Sequence, residues 1–189
     1  MSNYIESKTF ENVDFTKNEL PKAEYEECHF LNCIFSHTNL SHSIFINCSF
    51  QNCDLSSAKL GNTSFQDTSF KNSKLLGLQF SDCNPFLFSL HFEDSLLDFS
   101  SFYQLNLKDS TFKNSTLKEV DFTESNLKNR SFQACELQGA IFENTILEGT
   151  DFRNASNYSI NLAKNKIKKA KFSSNGIKGL LDSYDILIE

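Results

Sequence analysis

The sequence predicts an all-β fold: a four-sided solenoid whose wall turns a corner every five residues. Three observations predict it. A large apolar residue recurs at every fifth position, a small residue stands two places before it, and a turn-forming residue stands two places after it. The composition agrees, since 189 residues include 20 Phe and no Trp, with only 6 Gly and 2 Pro as punctuation. So little punctuation points to an internal repeat rather than a mixed fold.

The large residues come first. Steps of five from Phe10 to Phe80 meet Phe, Leu or Tyr every time, without a miss. The register slips by two near residues 82–87, within SDCNPFL, resumes at Leu87 and runs to Phe152, making 29 centres in all. A period of five fits neither a helix at about 3.6 nor a flat strand at about 2. A short extended piece followed by a corner does fit it. Four such pieces return the chain to its starting face after 20 residues, with coils about 4.8 Å apart.

The small residues come next. Two places before the centre stands Ala, Cys, Ser, Thr or Val in 22 of 29 units, so each unit sends one large and one small side chain inward. Two places after the centre stands Asn, Asp or Gly in 17 of 29, including Asn12, Asn32, Asn47, Asn52, Asn62 and Asn72. These residues tolerate positive φ and bond locally to backbone, as tight corners require.

Every fourth centre should then stack on one face. Phe10, Phe30, Phe50 and Phe70 form such a column, and after the slip it continues as Phe92, Phe112, Phe132 and Phe152. All eight are Phe, and a three-sided helix would scramble them. They are the predicted structural core. Burying one such ring is worth roughly 1.5–3 kcal/mol. Ordering five residues costs several kcal/mol, so one coil is unstable and only a stack holds.

The stretch CHFLNCIFSH carries metal-ligating residue types, yet the repeat accounts for it. Cys28, Cys33, Cys48, Cys53 and Cys135 all take the small inward position, whereas His29 and His37 fall outward and cannot converge with the sulfurs. Cys28 and Cys48 are 20 apart and stack on neighbouring coils, as do Cys33 and Cys53. Their spacing falls within the Cα window of a disulfide, but reduced buried thiols are expected. No metal and no cofactor is implied.

The units TDFRN, VDFTE, CDLSS and TNLSH resemble the pentapeptide-repeat family pattern A(D/N)LXX, and the resemblance spans about residues 5 to 172. It implies a right-handed quadrilateral β-helix, the handedness coming from the family alone. Residues 1–172 are therefore expected to form the solenoid and 173–189 a C-terminal tail. In the tail, IKGLLDSY can form a short helix with Ile177, Leu180, Leu181 and Tyr184 on one side, and the final ILI suggests a strand. One reading is a cap on the last coil. The other follows from resemblance to the gyrase-protecting branch of the family, comprising quinolone-resistance proteins and immunity proteins against gyrase-poisoning peptides. It implies a homodimer joined end to end through Ile177, Leu180, Leu181, Tyr184, Ile186 and Ile188.

Two irregularities interrupt the pattern. Leu78, Pro85, Leu90 and Leu105 break the small-residue rule in or beside CNPFLFSLHFEDSLLDFSSFYQL, where Phe86, Phe88 and Phe99 are the Phe residues off the centres. This segment is either a kink whose larger side chains fill a widened core or an apolar contact patch of Phe86, Phe88 and Phe99. Arg130 places a charge at a nominally inward position and is expected to escape by local distortion.

Charge bears on function. The formal net charge is −6, and residues 1–163 carry 21 acids against 12 bases, while 164–189 carry 3 against 6. The face of Tyr25, Phe45 and Phe65 bears Glu24, Glu26, Glu27 and Asp67 without a base. The face of Phe102, Phe122 and Phe142 bears Asp121, Glu124 and Glu143. These faces adjoin, so a negative strip could follow their shared edge, steering basic partners; the alternative is ordinary mixed surface charge. The basic group KNKIKKAK reads as the solvated end of the rod. Direct nucleic-acid binding is not expected.

No phosphate loop, His-Glu-X-X-His or nucleophile elbow is present, and the four His do not group with acids, so an enzyme is not expected. No apolar run approaches the roughly 20 residues of a membrane helix, and the polar start MSNYIESKTF lacks a signal core. A cytoplasmic protein is expected. The family resemblance implies a protector of type II topoisomerase that mimics duplex DNA. A scaffold for an unrelated protein partner is the competing expectation.

Overall fold

A computed structural model describes residues 3–184, 186 and 187. Eleven short strands appear in chain order: β1 Asn3–Glu6, β2 Thr9–Glu11, β3 Ala23–Glu26, β4 His29–Leu31, β5 Ile44–Ile46, β6 Ser49–Gln51, β7 Ser64–Gln66, β8 Thr68–Lys71, β9 Leu90–Glu93, β10 Thr111–Lys113 and β11 Phe132–Gln133. Their pairings are parallel. One sheet orders β1-β3-β5-β7 and the other β2-β4-β6-β8-β9-β10-β11. Phe10 pairs with Phe30, Phe30 with Phe50 and Phe50 with Phe70, so neighbouring coils bring positions i and i+20 side by side. Phe70 pairs with Phe92, which places the two extra positions within that coil.

The chain therefore winds as a square tube. Face 1 carries the Phe10 column, face 2 Phe15 and Phe35, face 3 Leu20 and Leu40, and face 4 Tyr25 and Phe45. Faces 2 and 3 pair mainly through single parallel bridges such as Asp14↔Ile34 and Ser101↔Asp121. The face 1 rings stack from Phe10 to Phe172 with centroids 4.5–5.5 Å apart, a ladder about 40 Å long. Phe10 at the first coil is only half-buried; Phe30 to Phe152 are buried.

A second aromatic ladder changes sides. Tyr25, Phe45 and Phe65 stack on face 4, adjacent to face 1. From Phe80 onward, just before the slip, it is replaced by Phe80, Phe102, Phe122 and Phe142 on face 3, where Phe80 meets Phe92 edge-on at 5.8 Å. Edge-on and offset contacts of this kind are the favoured geometries of aromatic pairs.

The small inward residues solve a polar problem. Thr63 Oγ1 donates to the Leu40 carbonyl at 2.9 Å, Ser100 Oγ to Leu75 at 2.8 Å, and Thr150 Oγ1 to Leu127 at 2.8 Å. Each hydroxyl reaches the carbonyl of a centre one coil below, which relieves the cost of burying it. Cys48 and Cys53 use the same position, their Sγ atoms 3.3 Å from the Tyr25 and Phe30 carbonyls. All six cysteines are free and buried.

The corners are left-handed. Asn12, Asn32, Asn47, Asn52, Asn62 and Asn72 have φ between 50° and 55°, as the turn pattern expects. So do residues for which that backbone is unfavourable, notably Leu87 at φ 54° and Phe99 at φ 64°.

Three sequence expectations need correction. Leu87 is not an inward centre: it is 62% exposed, and Phe88, 5% exposed, fills the interior instead. The loop Asn84–Leu87 swings outward and re-enters one residue late, so the ring that fits the core is Phe88. For the same reason Phe88 is not part of an apolar contact patch. The tail forms the expected short helix, of 3-10 type at Ser174–Leu180 with a further 3-10 turn at Asp182–Tyr184, but the expected strand is not present at Ile186 and Leu187. Of the apolar residues in the tail Leu180 is buried, Leu181 is half-buried, and Ile177 and Tyr184 are exposed. Ile188 lies outside the described residues.

The tail packs on Tyr158. A Cβ on Gly179 would collide with the Tyr158 carbonyl oxygen, and one on Gly176 would collide with its hydroxyl. The Ile160 amide donates to the Gly179 carbonyl at 2.8 Å. Two glycines thus let the turns lie flat on the last coil.

Candidate interaction surface

The regular wall has no deep cleft, and what it offers is a set of parallel ladders of outward side chains. Each unit projects three: the residue before the centre and the two after it. Among the described residues no three His, Cys, Asp or Glu side chains converge to hold a metal ion, and no helix is long and apolar enough to cross a membrane. Such a wall is suited to docking another macromolecule along its length.

The acidic positions fall into two groups. Glu24 and Glu26 flank Tyr25 on β3, with Glu27 at the following corner, all on face 4. Tyr4 donates to Glu26 at 2.6 Å, and that bond pushes the Tyr4 phenol above its ordinary range. Asp67 lies two coils further on, where His91 Nε2 meets its Oδ1 at 2.7 Å. On face 3, Asp121 pairs in register with Ser101 and Ile141, and Glu124 accepts from Gln104 at 2.7 Å. Glu143 is bridged by Lys164 at 2.7 Å. Glu143 is thus locally compensated by a lysine, Asp67 has an imidazole partner, and the uncharged loop Asn84–Leu87 separates the two groups.

The period of 20 also reveals charges that a linear reading misses. Asp98, Glu119 and Glu136 stand on face 2 beside the face 3 acids, with Lys118 among them, so acids outnumber bases around the corner between faces 2 and 3 in the C-terminal half. The opposite side, faces 4 and 1 of the C-terminal half, is mainly basic, with Lys108, Lys128, Arg153, Lys166, Lys168, Lys169 and Lys171 against Asp109, Glu148 and Asp151. Lys128 is tied to Glu148 at 2.8 Å and Arg153 to Asp151 at 2.7 Å, and both carboxyls are held below their usual range by those hydrogen bonds. Writing the sequence in rows of 20 shows this segregation; a linear tally of charge hides it.

The apolar residues do not form one patch. Phe86 is 66% exposed on the loop between faces 3 and 4, and Phe99 is 58% exposed at the corner between faces 2 and 3. Leu78, Leu90 and Leu105 are buried and widen the core here, the outcome expected of a kink. Arg130 is half-buried: Nη1 reaches the Ser110 carbonyl at 3.4 Å, while Nε is buried without a partner.

The inward thiols are inert by position. Burial pushes Cys48 and Cys53 up to about 12 and Cys135 up to about 11, and raises Cys83 further. Thiolate chemistry near neutral pH is therefore suppressed.

Comparison with known proteins bears on this architecture. A model described as "Pentapeptide repeat region" matches residues 43–122, and one described as "Pentapeptide repeats (9 copies)" matches residues 112–156. Together they take in more than half of the 189 residues. No curated protein matches the chain in sequence. Among solved structures, QnrB1, a plasmid-mediated fluoroquinolone resistance protein, is 14% identical with a TM-score of 0.46, covering 97% of this chain and 100% of its own. HetL, involved in heterocyst differentiation regulation in the cyanobacterium Nostoc sp., is 14% identical with a TM-score of 0.48, covering 90% and 85% respectively.

Proposed function

The chain belongs to the pentapeptide-repeat family, and from that premise we propose that it is a non-enzymatic binding protein that protects a type II topoisomerase, DNA gyrase, against poisons such as quinolones or peptide toxins. The observation that carries the reading is the segregated acidic wall: Glu24, Glu26 and Glu27 on one face, and Asp121, Glu124 and Glu143 with their face 2 neighbours on another. A predominantly acidic strip on a rigid rod offers a basic DNA channel a substitute for phosphates. One rod is about 40 Å long, so two end to end would span about 80 Å, or roughly two dozen base pairs at about 3.4 Å each. The tail residues Ile177, Leu181, Tyr184, Ile186 and Ile188 would supply the end-to-end contact, with Leu180 anchoring the turn beneath them. Phe86 and Phe99 would supply separate apolar contacts.

The test is supercoiling by purified gyrase with and without a quinolone. Rescue in the presence of drug, lost on Asp121→Lys with Glu124→Lys, is expected. No rescue at large protein excess refutes the reading. Truncation before Gly176 should abolish end-to-end pairing in a sizing measurement.

The second reading is an interaction scaffold for a protein unrelated to gyrase. The pair Glu143–Lys164 and the presence of Lys118 among the face 2 acids favour it, because they blunt the negative strip where duplex mimicry needs it. Capture of a partner that survives Asp121→Lys with Glu124→Lys would support it.

A further inference from the structure

We propose that the corner between faces 4 and 1 in the C-terminal half seats the phosphate backbone of duplex nucleic acid. The proposal does not rest on the gyrase reading, which uses the opposite side of the rod. The net charge of −6 argues against nucleic acid for the chain as a whole. The tube separates the charges that this sum combines.

The corner is built column by column. From Leu107 to Phe172, faces 4 and 1 carry nine Lys or Arg against three acids, Asp109, Glu148 and Asp151. Two of the acids are held by bases, Glu148 by Lys128 at 2.8 Å and Asp151 by Arg153 at 2.7 Å. Lys113 turns down to Glu93 on the preceding coil at 2.6 Å. The last lap is the densest. Lys166 and Lys168 lie on face 4, Lys169 at the corner and Lys171 on face 1, and the lap brings no acid to either face. All four are exposed, and none makes an ion pair among the described residues.

A hollow marks the centre of the corner. The corner column reads Asp109, Asn129, Gly149, Lys169, and Gly149 is its one position without a side chain. A Cβ there would collide with Asn129 Oδ1, so the glycine lets the Asn129 side chain fold down against the wall. The result is a cavity of about 320 Å³ lined by Lys128, Asn129, Glu148, Gly149, Lys168 and Lys169. The hydrogen bond from Lys128 holds Glu148 below its usual range, and the fields of Lys168 and Lys166 add to it. Three ammonium groups around one carboxylate leave the hollow positive, and an anion with several acceptor oxygens completes their hydrogen bonds. Arg130 adds a fixed charge under the same corner, its Nη1 reaching the Ser110 carbonyl at 3.4 Å.

The surroundings select the anion. Among the described residues no large apolar side chain is exposed on faces 4 and 1 of this half; Phe86, Leu87, Phe99, Tyr103 and Ile141 all lie elsewhere. A membrane surface calls for apolar residues to insert. A single strand calls for aromatic rings on which its bases stack, and a protein partner calls for aromatic anchors. The phosphates of a duplex need none of these and are met by Lys and Arg. The shape agrees. Lys166 and Lys171 stand on the two flanks of the corner, about 16 Å apart along the chain. Lysines so placed reach the phosphates on both sides of a groove about 12 Å wide.

The number of free bases sets the expected strength. Lys108 and the four lysines of the last lap have no carboxylate within ion-pair distance among the described residues. Neutralising about four phosphates gives log K a slope of about −4 against log salt, or about 100-fold weaker binding at 200 mM than at 50 mM. With contacts to the backbone alone, binding is independent of sequence. An end-to-end pair leaves both corners open, since tails meet at the ends of the rods and not along their sides.

The experiment titrates the full chain against a fluorescent duplex of about 24 base pairs and reads anisotropy at several salt concentrations. Binding at about 50 mM salt with a slope near −4 is expected. Lys168→Glu with Lys169→Glu should abolish it. Glu148→Gln removes the one carboxylate of the hollow and should strengthen it several-fold. Asp121→Asn with Glu124→Gln, on the opposite side, should not weaken it. These variants change outward side chains only, circular dichroism checks that the tube is intact, and the wild-type salt slope needs no variant. No binding of the duplex at about 50 mM salt overturns the proposal. So does a single strand of the same length bound as tightly, a Glu148→Gln variant that binds no better, or capture by phosphatidylserine vesicles without duplex binding. Gyrase rescue probes the other side of the rod, so either reading can fail without the other.

Discussion

Replacing Phe50 by Ala tests the ladder that holds the tube together. Phe50 is fully buried, stacked on Phe30 at 4.5 Å and Phe70 at 4.9 Å, with Phe45 and Phe35 edge-on at 5.4 and 5.7 Å. A buried Phe→Ala change costs about 3–5 kcal/mol. The ring loses two stacking partners and two edge partners, and the strands on both sides hinder collapse of the cavity, so about 4–5 kcal/mol is expected. Phe172 is the control. It is half-buried and stacks on one ring of its own column, Phe152, at 5.4 Å, so Phe172→Ala should cost about 2 kcal/mol. Phe50→Leu should cost less than about 1.5 kcal/mol, because Leu already serves as the centre at Leu55, Leu75 and Leu97. Urea unfolding followed by circular dichroism suits a chain without Trp. Equal losses for Phe50→Ala and Phe172→Ala would refute the idea that stability is accumulated through stacked neighbours, as would a Leu variant no better than Ala.

Three further outcomes follow from the same wall. Phe99→Gly should stabilise the protein by about 0.5–1 kcal/mol in thermal melts, since Phe99 sits exposed at φ 64° and Gly bears no penalty there; a loss would show that its ring makes a needed contact. Cys48, Cys53 and Cys135 should resist alkylation up to about pH 9 in the native state and react together on unfolding, because burial raises Cys48 and Cys53 to about 12 and Cys135 to about 11; rapid native labelling would count against the packing. Gly179→Ala should lift the 3-10 turns off Tyr158 and expose the Ile160 amide to hydrogen exchange, with little change at Phe30 or Phe50; uniform loss of protection would show that the cap controls the whole stack.

The columns are legible in the sequence because the chemistry repeats without exception. Every residue from Phe30 to Phe152 in the face 1 column is Phe, so any register that is not a whole number of five-residue units would bury polar corners, and only a lap of 20 stacks Phe on Phe along that face. The Asn corners are legible for the same reason. The loop at Asn84–Leu87 is not, since Leu87 and Phe88 are equally apolar and the choice between them depends on which side chain reaches the widened core beside Leu90. The tail's short helix is legible from its apolar residues, but its 3-10 form is not, because a hydrophobic pattern is blind to how closely backbone must approach Tyr158, and Gly176 and Gly179 shape that approach. The acidic residues are visible in the sequence, but their partners are not: Asp67 meets His91 across 24 positions, a contact that exists only once the slip has shifted the coils.

The lap of twenty positions governs how such a chain can change length. Removing one entire lap, for instance residues 43–62, would join the flanks with every remaining column intact and a tube about 5 Å shorter. Removing a single unit of five would leave the interior apolar but carry everything beyond it round by a quarter turn. The lysines of the far half would leave the plane of Glu24 and Glu26, and Phe rings would sit over leucines. The interior tolerates both edits, but only whole laps keep the outer pattern in phase, so the outside of the molecule is the stricter judge of its insertions and deletions.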